Sequence, residues 1–179
     1  YEGGLRVPGI IEWPAVIQPK VTRYPASTMD IFPTIVDILG LPNDDLLKPI
    51  DGISLKPIFN TDLDRRIKKI PFSFNDQGAL LDNNYKLIVS SIEKNEFEFY
   101  NLENDPFESQ NLAAEDPILF EKMKKEFIQW NETVELSRKG KDYKDGKVLK
   151  NPESHFWMED ERYHPYFEEW LKRPEYRHR

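Results

Sequence analysis

The chain of 179 residues carries 32 acidic against 25 basic side chains, a net charge of −7, with 39% hydrophobic residues. That balance excludes general nucleic-acid binding, which needs a basic face, and the absence of cysteine excludes disulfides and thiolate metal sites. The length fits one domain, or one domain with part of a neighbour.

The opening stretch YEGGLRVPGIIEWP places Gly3-Gly4 where the backbone must reach an unusual conformation or a close approach. Pro8 pushes Val7 into extended geometry, and Gly9–Trp13 then reads as a short apolar strand closed by Pro14. A turn feeding a strand belongs inside a domain, so the chain is expected to be a piece of something longer. In DIFPTIVDILGLP, Asp30 is the expected N-cap, Pro33 falls in the first turn, and Gly40 with Pro42 ends the helix. Ile31, Ile35, Ile38 and Leu39 make its apolar stripe. After Asp51-Gly52, the segment Ile53–Phe59 is short and ends at a polar break.

Residues 70–102 change period. Ile70–Phe74 alternates, Ala79-Leu80-Leu81 runs into the tight-turn signal Asp82-Asn83-Asn84, and Tyr85–Val89 leads out of it. Glu93-Lys94-Asn95 makes another turn before Glu96–Tyr100, whose Phe97 and Phe99 share one face. This is an antiparallel meander of about four strands, as in small sheets. Asp116-Pro117 then opens a long helix. Its Leu119, Met123, Phe127, Trp130 and Val134 recur at steps of three and four, an apolar stripe suited to cover the meander.

From Lys139 to Lys147 the chain is charged and broken by glycine. Beyond Pro152 it becomes aromatic and basic. The histidines at 155, 164 and 178 have no metal-ligand spacing, and no apolar run reaches the roughly 18 residues of a membrane span.

In order, EGGLRVPGIIEWP, DIFPTIVDILGLP, IDGISLKPIF, NNYKLI and EFYNLENDPFESQNLA resemble the C-terminal part of the formylglycine-dependent sulfatases, of the alkaline phosphatase superfamily. The resemblance covers residues 1–135. It implies an α/β parent, with residues 1–65 ending the catalytic domain. Residues 66–138 would form a small α+β subdomain, an antiparallel sheet packed by the long helix, and residues 139–179 a linker and tail. It also implies hydrolysis of sulfate esters, of a sulfated glycan or an aryl sulfate, by the parent. The formylglycine nucleophile, made from Cys or Ser in C/S-x-P-x-R, the calcium ligands and a sulfate-binding lysine are all expected upstream of Tyr1. This chain has no C/S-x-P-x-R, so no catalytic or metal residue is assigned in it and no activity is expected of it alone. The expected partner of the fragment is the N-terminal catalytic domain. The expected location is outside the cytoplasm of a bacterium (periplasmic, secreted or surface-associated), with any signal peptide upstream.

Candidate substrate contacts are few. Arg6 lies near the active-site loop of such an enzyme, although a structural role bonding carbonyls or a carboxylate competes. In the tail, His155, Trp157, Arg162 and His164 offer ring faces for stacking and cationic donors for anionic groups. The competing role for the tail aromatics, Phe156, Trp157, Tyr166, Phe167 and Trp170, is packing onto the body. Two other functions stand beside the sulfatase: a non-catalytic binding or scaffold module, and part of a related phosphodiester or phosphonate ester hydrolase.

Overall fold

Asparagine turns set the topology. Asn75, Asn83 and Asn95 take positive φ of 52°, 54° and 57°, a conformation asparagine tolerates better than most residues because its short amide bonds locally. They join four strands in the computed structural model, which describes residues 2–42, 46–143, 145–146 and 159–174. The strands are β1 (Ile70–Phe74), β2 (Gln77–Asp82), β3 (Tyr85–Ser91) and β4 (Glu96–Asn101). They form one antiparallel sheet in chain order. The register places Leu80 opposite Leu87 and Leu87 opposite Phe99, so alternation brings these residues to one face.

That face is closed by the long helix. Of the helices α1 (Glu2–Leu5), α2 (Ile31–Leu39) and α3 (Pro117–Arg138), α3 supplies Met123 and Phe127, both fully buried against Leu80, Leu87, Val89 and Phe99. Leu119 and Trp130 pack at the margin. Asp116 caps α3 by accepting from Leu119 N at 3.1 Å, with Pro117 following. A Cβ on Gly78 would lie 2.5 Å from the Phe127 ring, so only glycine lets the ring lie on the strand. The opposite face carries Ala79, Ile88 and Tyr100, with Leu5 of α1 packed there.

The turn after β4 is stitched by side chains. Asp105 accepts from Ser109 N and Gln110 N at 2.7 and 2.8 Å. Asn111 Oδ1 accepts from Phe99 N at 3.1 Å, and Leu112 N donates to Phe99 O at 2.7 Å. The returning chain thus pairs the open edge of β4, which would otherwise be a site for association.

Two expectations change. Gly9–Trp13 forms no strand and Ile10 is 93% exposed, because a strand requires hydrogen-bonded neighbours and none pairs with it among the described residues. On α2, only Ile38 of the expected stripe turns inward, packed on Leu55, Ile58 and Phe59. Ile31, Ile35 and Leu39 are about half exposed or more. The inward ridge is chosen by polar anchors, Asp30 and Thr34, about two turns and one turn before Ile38. Thr34 Oγ1 donates to Asp30 O at 2.6 Å and accepts from Leu55 N at 2.8 Å. A Cβ on Gly52 would fall 2.0 Å from Met29 O, so the chain passes this close to the turn preceding α2 only as glycine.

The chain divides into two compact units, Tyr1–Gly146 and Lys147–Arg179. In the second, a 3₁₀ turn (Glu161–Tyr163) leads into α4 (His164–Trp170), where Tyr166 and Trp170 stack at 5.5 Å. Phe127→Ala should destabilise the chain by about 3–5 kcal/mol and Trp130→Ala by less, because Phe127 is buried and Trp130 marginal. Denaturant midpoints rank the two, and equal or reversed losses contradict this packing.

Candidate functional site

The most strongly built polar constellation is a pair of buried ion pairs in the first unit. Asp30 and Arg66 side chains are 0% and 1% exposed. Arg66 Nη1 and Nη2 each donate to an Asp30 carboxylate oxygen at 2.7 Å, the fork geometry that favours arginine over lysine. The same carboxylate accepts from Ser27 N at 2.7 Å and Ile53 N at 2.8 Å. Asp30 was expected to cap α2, but its side chain makes no such bond. It instead closes the preceding turn, Thr28–Asp30, in a capping box with Ser27. Arg66 Nε donates to Lys68 O at 2.5 Å, and its backbone is clamped by the turn residue Asn83. Arg66 N donates to Asn83 Oδ1 at 2.7 Å, and Asn83 Nδ2 donates to Arg66 O at 3.1 Å. One carboxylate thus joins α2, the 53–55 segment and the β2–β3 turn.

The second pair is Lys86 with Glu108, 2.6 Å apart, with side chains 0% and 4% exposed. Lys86 lies on β3 opposite Tyr100, on the face where Leu5 packs. Glu108 holds a positive φ of 55°, so the turn is bent to deliver its carboxylate. Nearby on that face, the Tyr100 hydroxyl donates to Glu98. Burial alone would raise the Asp30 and Glu108 carboxyls, but Arg66 and the backbone donors hold Asp30 below the ordinary range, and Lys86 does so for Glu108.

Sequence reasoning missed both pairs as units. The signals of the second pair were a lysine inside an apolar strand, NNYKLI, and a glutamate in a turn, DPFE. Of the candidate substrate contacts, Arg6 belongs to the first unit and Arg162 and His164 to the second. Arg6 is exposed. Arg162 folds back on Asp160, with Nη2 2.5 Å from Oδ2, and the His164 ring rests 5.0 Å from that of Phe167. His155 and Trp157 lie outside the described residues. Among the described residues, no three His, Asp or Glu side chains gather as metal ligands.

Residues 1–133 match the family model described as N-sulphoglucosamine sulphohydrolase, C-terminal. The chain belongs to the sulfatases. It is 32% identical over 135 residues to a sulfatase of Formosa agariphila, covering 65% of this chain and 24% of that protein. It is 49% identical over 61 residues to human steryl-sulfatase, covering 32% of this chain and 10% of that one. This sulfatase chain therefore spans a quarter or less of the length of these relatives. In fold it resembles a Bacteroides thetaiotaomicron protein described in the metabolism of multiple glycosaminoglycans, with TM-score 0.57 and 23% identity over 75% of this chain and 30% of that one. It also resembles Ps i-CgsB in complex with k-i-k-neocarrahexaose, with TM-score 0.51 and 18% identity over 84% of this chain and 32% of that one. No helix among the described residues is long and apolar enough to cross a membrane.

The depressed carboxyls set a pH dependence. A group whose folded pKa lies below its unfolded value stabilises fully above the unfolded value, about 4 for Asp and Glu. That stability is lost as pH falls through the folded value. The urea midpoint should hold between about pH 7 and 5 and drop below about 4, with a shallower acid limb in Asp30→Asn from its lower starting stability. A wild-type midpoint that is level down to about pH 3 contradicts this.

Proposed function

We propose that this chain is the C-terminal part of an enzyme that hydrolyses sulfate esters, of a sulfated glycan or an aryl sulfate. The family match over residues 1–133 carries that reading. The exposed apolar residues support it: Val7, Ile10, Ile31, Ile35 and Leu39 are each about half exposed or more. Such a surface is costly in water and suits burial against another part of the same polypeptide. In this reading its partner is the upstream catalytic domain of an exported bacterial enzyme.

The division of labour follows from the residues. Sulfate ester hydrolysis needs an oxygen nucleophile, and groups that stabilise charge on the sulfuryl and leaving oxygens. The donor set here does not fit a calcium site, since carboxylates and histidines do not converge among the described residues. No Cys, and no Ser in C/S-x-P-x-R, offers a formylglycine precursor. Calcium and the nucleophile are therefore assigned to the upstream domain. The present residues contribute the rigid sheet–helix body and, through Arg6, His155, Trp157, Arg162 and His164, contacts to the substrate. Arg6 and Arg162 suit sulfate or carboxylate oxygens as charged donors.

The test compares the purified chain with the longer polypeptide that contains it, both on an aryl sulfate. The chain alone should give no turnover above buffer, and the longer polypeptide should turn the ester over. Turnover by this chain alone, or none by the longer polypeptide, overturns the reading.

A further inference from the structure

Beside the β2–β3 turn lies a cleft of about 280 Å³, just below the common range of ligand sites, about 300–1,000 Å³. Its lining comes from three stretches of chain: Asp64 and Arg65, then Asn83, Asn84 and Tyr85 of the turn, then Asn101 and Glu103. Its frame is fixed from behind. Asn83 clamps the backbone of Arg66, itself tied to buried Asp30. Leu102 N donates to Asn84 O at 2.7 Å, Asn84 Nδ2 donates to Glu103 at 2.7 Å, and Glu103 N donates to Asn101 Oδ1 at 3.0 Å. The Tyr85 ring is stacked on Phe99 at 5.6 Å and 12°. A site framed this way loses little conformational freedom on binding.

Those bonds leave particular groups unused: the Arg65 guanidinium, the Asn101 amide N–H, the Tyr85 hydroxyl, the Asn84 amide oxygen and the Asp64 carboxylate. Donors and acceptors therefore stand side by side. A ligand that satisfies both must carry neighbouring groups that each donate and accept, which is the property of hydroxyls. Two carboxylates against one guanidinium leave the lining negative, which disfavours a sulfate or carboxylate group there. The size admits one ring rather than a chain.

We propose that this cleft binds one uncharged, hydroxyl-rich sugar ring of the glycan, a unit other than the one whose sulfate ester reacts. Arg65 and the Asn101 N–H donate to ring hydroxyls, and Asp64 and the Asn84 oxygen accept from them. The assignment to a glycan substrate rests on the sulfatase reading above. The site itself rests on the cleft.

The full chain, labelled with ¹⁵N, is titrated separately with desulfated neocarrahexaose, chitohexaose and inorganic sulfate. At least one hexasaccharide should shift amides at 64–65, 84–85 and 101–103, and sulfate should not. Arg65→Ala and Asn101→Asp should each weaken that binding about tenfold. The second variant keeps the acceptor for Glu103 N, replaces the free donor by an acceptor and adds one negative charge. Glu121→Gln, on the exposed side of α3, should bind as wild type. Absence of shifts with both hexasaccharides overturns the proposal, as do shifts confined to other residues, a response to sulfate at these amides, or unchanged affinity in both variants. An aryl sulfate has no sugar, so the two readings fail separately. Sugar binding without aryl sulfate turnover by the longer polypeptide sinks the enzyme reading alone. Turnover without sugar binding sinks the cleft alone.

Discussion

The Asp30–Arg66 pair is the constraint on which the first unit depends. Two buried charges are costly to desolvate, and good geometry with further hydrogen bonds is what offsets that cost. Here the carboxylate receives four donors and the guanidinium reaches carbonyls as well. These bonds point to separate stretches: the turn at 27–30, the strand-like passage at 53, and the approach to β1. Through Asn83 the same pair sets the β2–β3 turn. The helical layer and the sheet are thus held by directional bonds where apolar contact between them is sparse.

The face of the sheet under α3 is held by apolar contact instead, and it was legible in the sequence. Alternation at Glu96–Tyr100, the turns at Asn83 and Asn95 and the stripe on α3 are local signals, and each produced the expected element. The stitched turn at 105–112 was legible in kind, because Asp-Pro and Asn bond their own neighbourhood. Asn111 and Leu112 do return to β4 as their chemistry suggests. Where reading failed, the cause was not local. Residues 9–13 have strand composition without strand neighbours. The stripe on α2 was misread because polar residues chose the inward ridge, an outcome that hydrophobic periodicity does not register.

The same distinction holds for the candidate site. A lone lysine in an apolar strand and a glutamate in a turn are each ordinary. Their pairing, Lys86 with Glu108, depends on a backbone bend and a register that no window of sequence contains. The resemblance nonetheless placed both residues within two of its five signature stretches. The cleft drew no site assignment from the sequence, although Asn84, Tyr85, Asn101 and Glu103 lie in signature stretches, because its lining is assembled from three separate segments. The aromatic tail, by contrast, was legible only as composition. Among its described residues, Arg162 and His164 make local contacts to Asp160 and Phe167.

A double-mutant cycle on the central pair tests this account most directly. Unfolding free energies of Asp30→Ala, Arg66→Ala and the double variant are compared with wild type. Each single change leaves a buried charge without its partner and should cost about 3–5 kcal/mol. The double variant should cost much less than the sum, because the second removal relieves the orphaned charge. Small and additive losses would contradict it, and would mean that the layers are joined by something other than this pair.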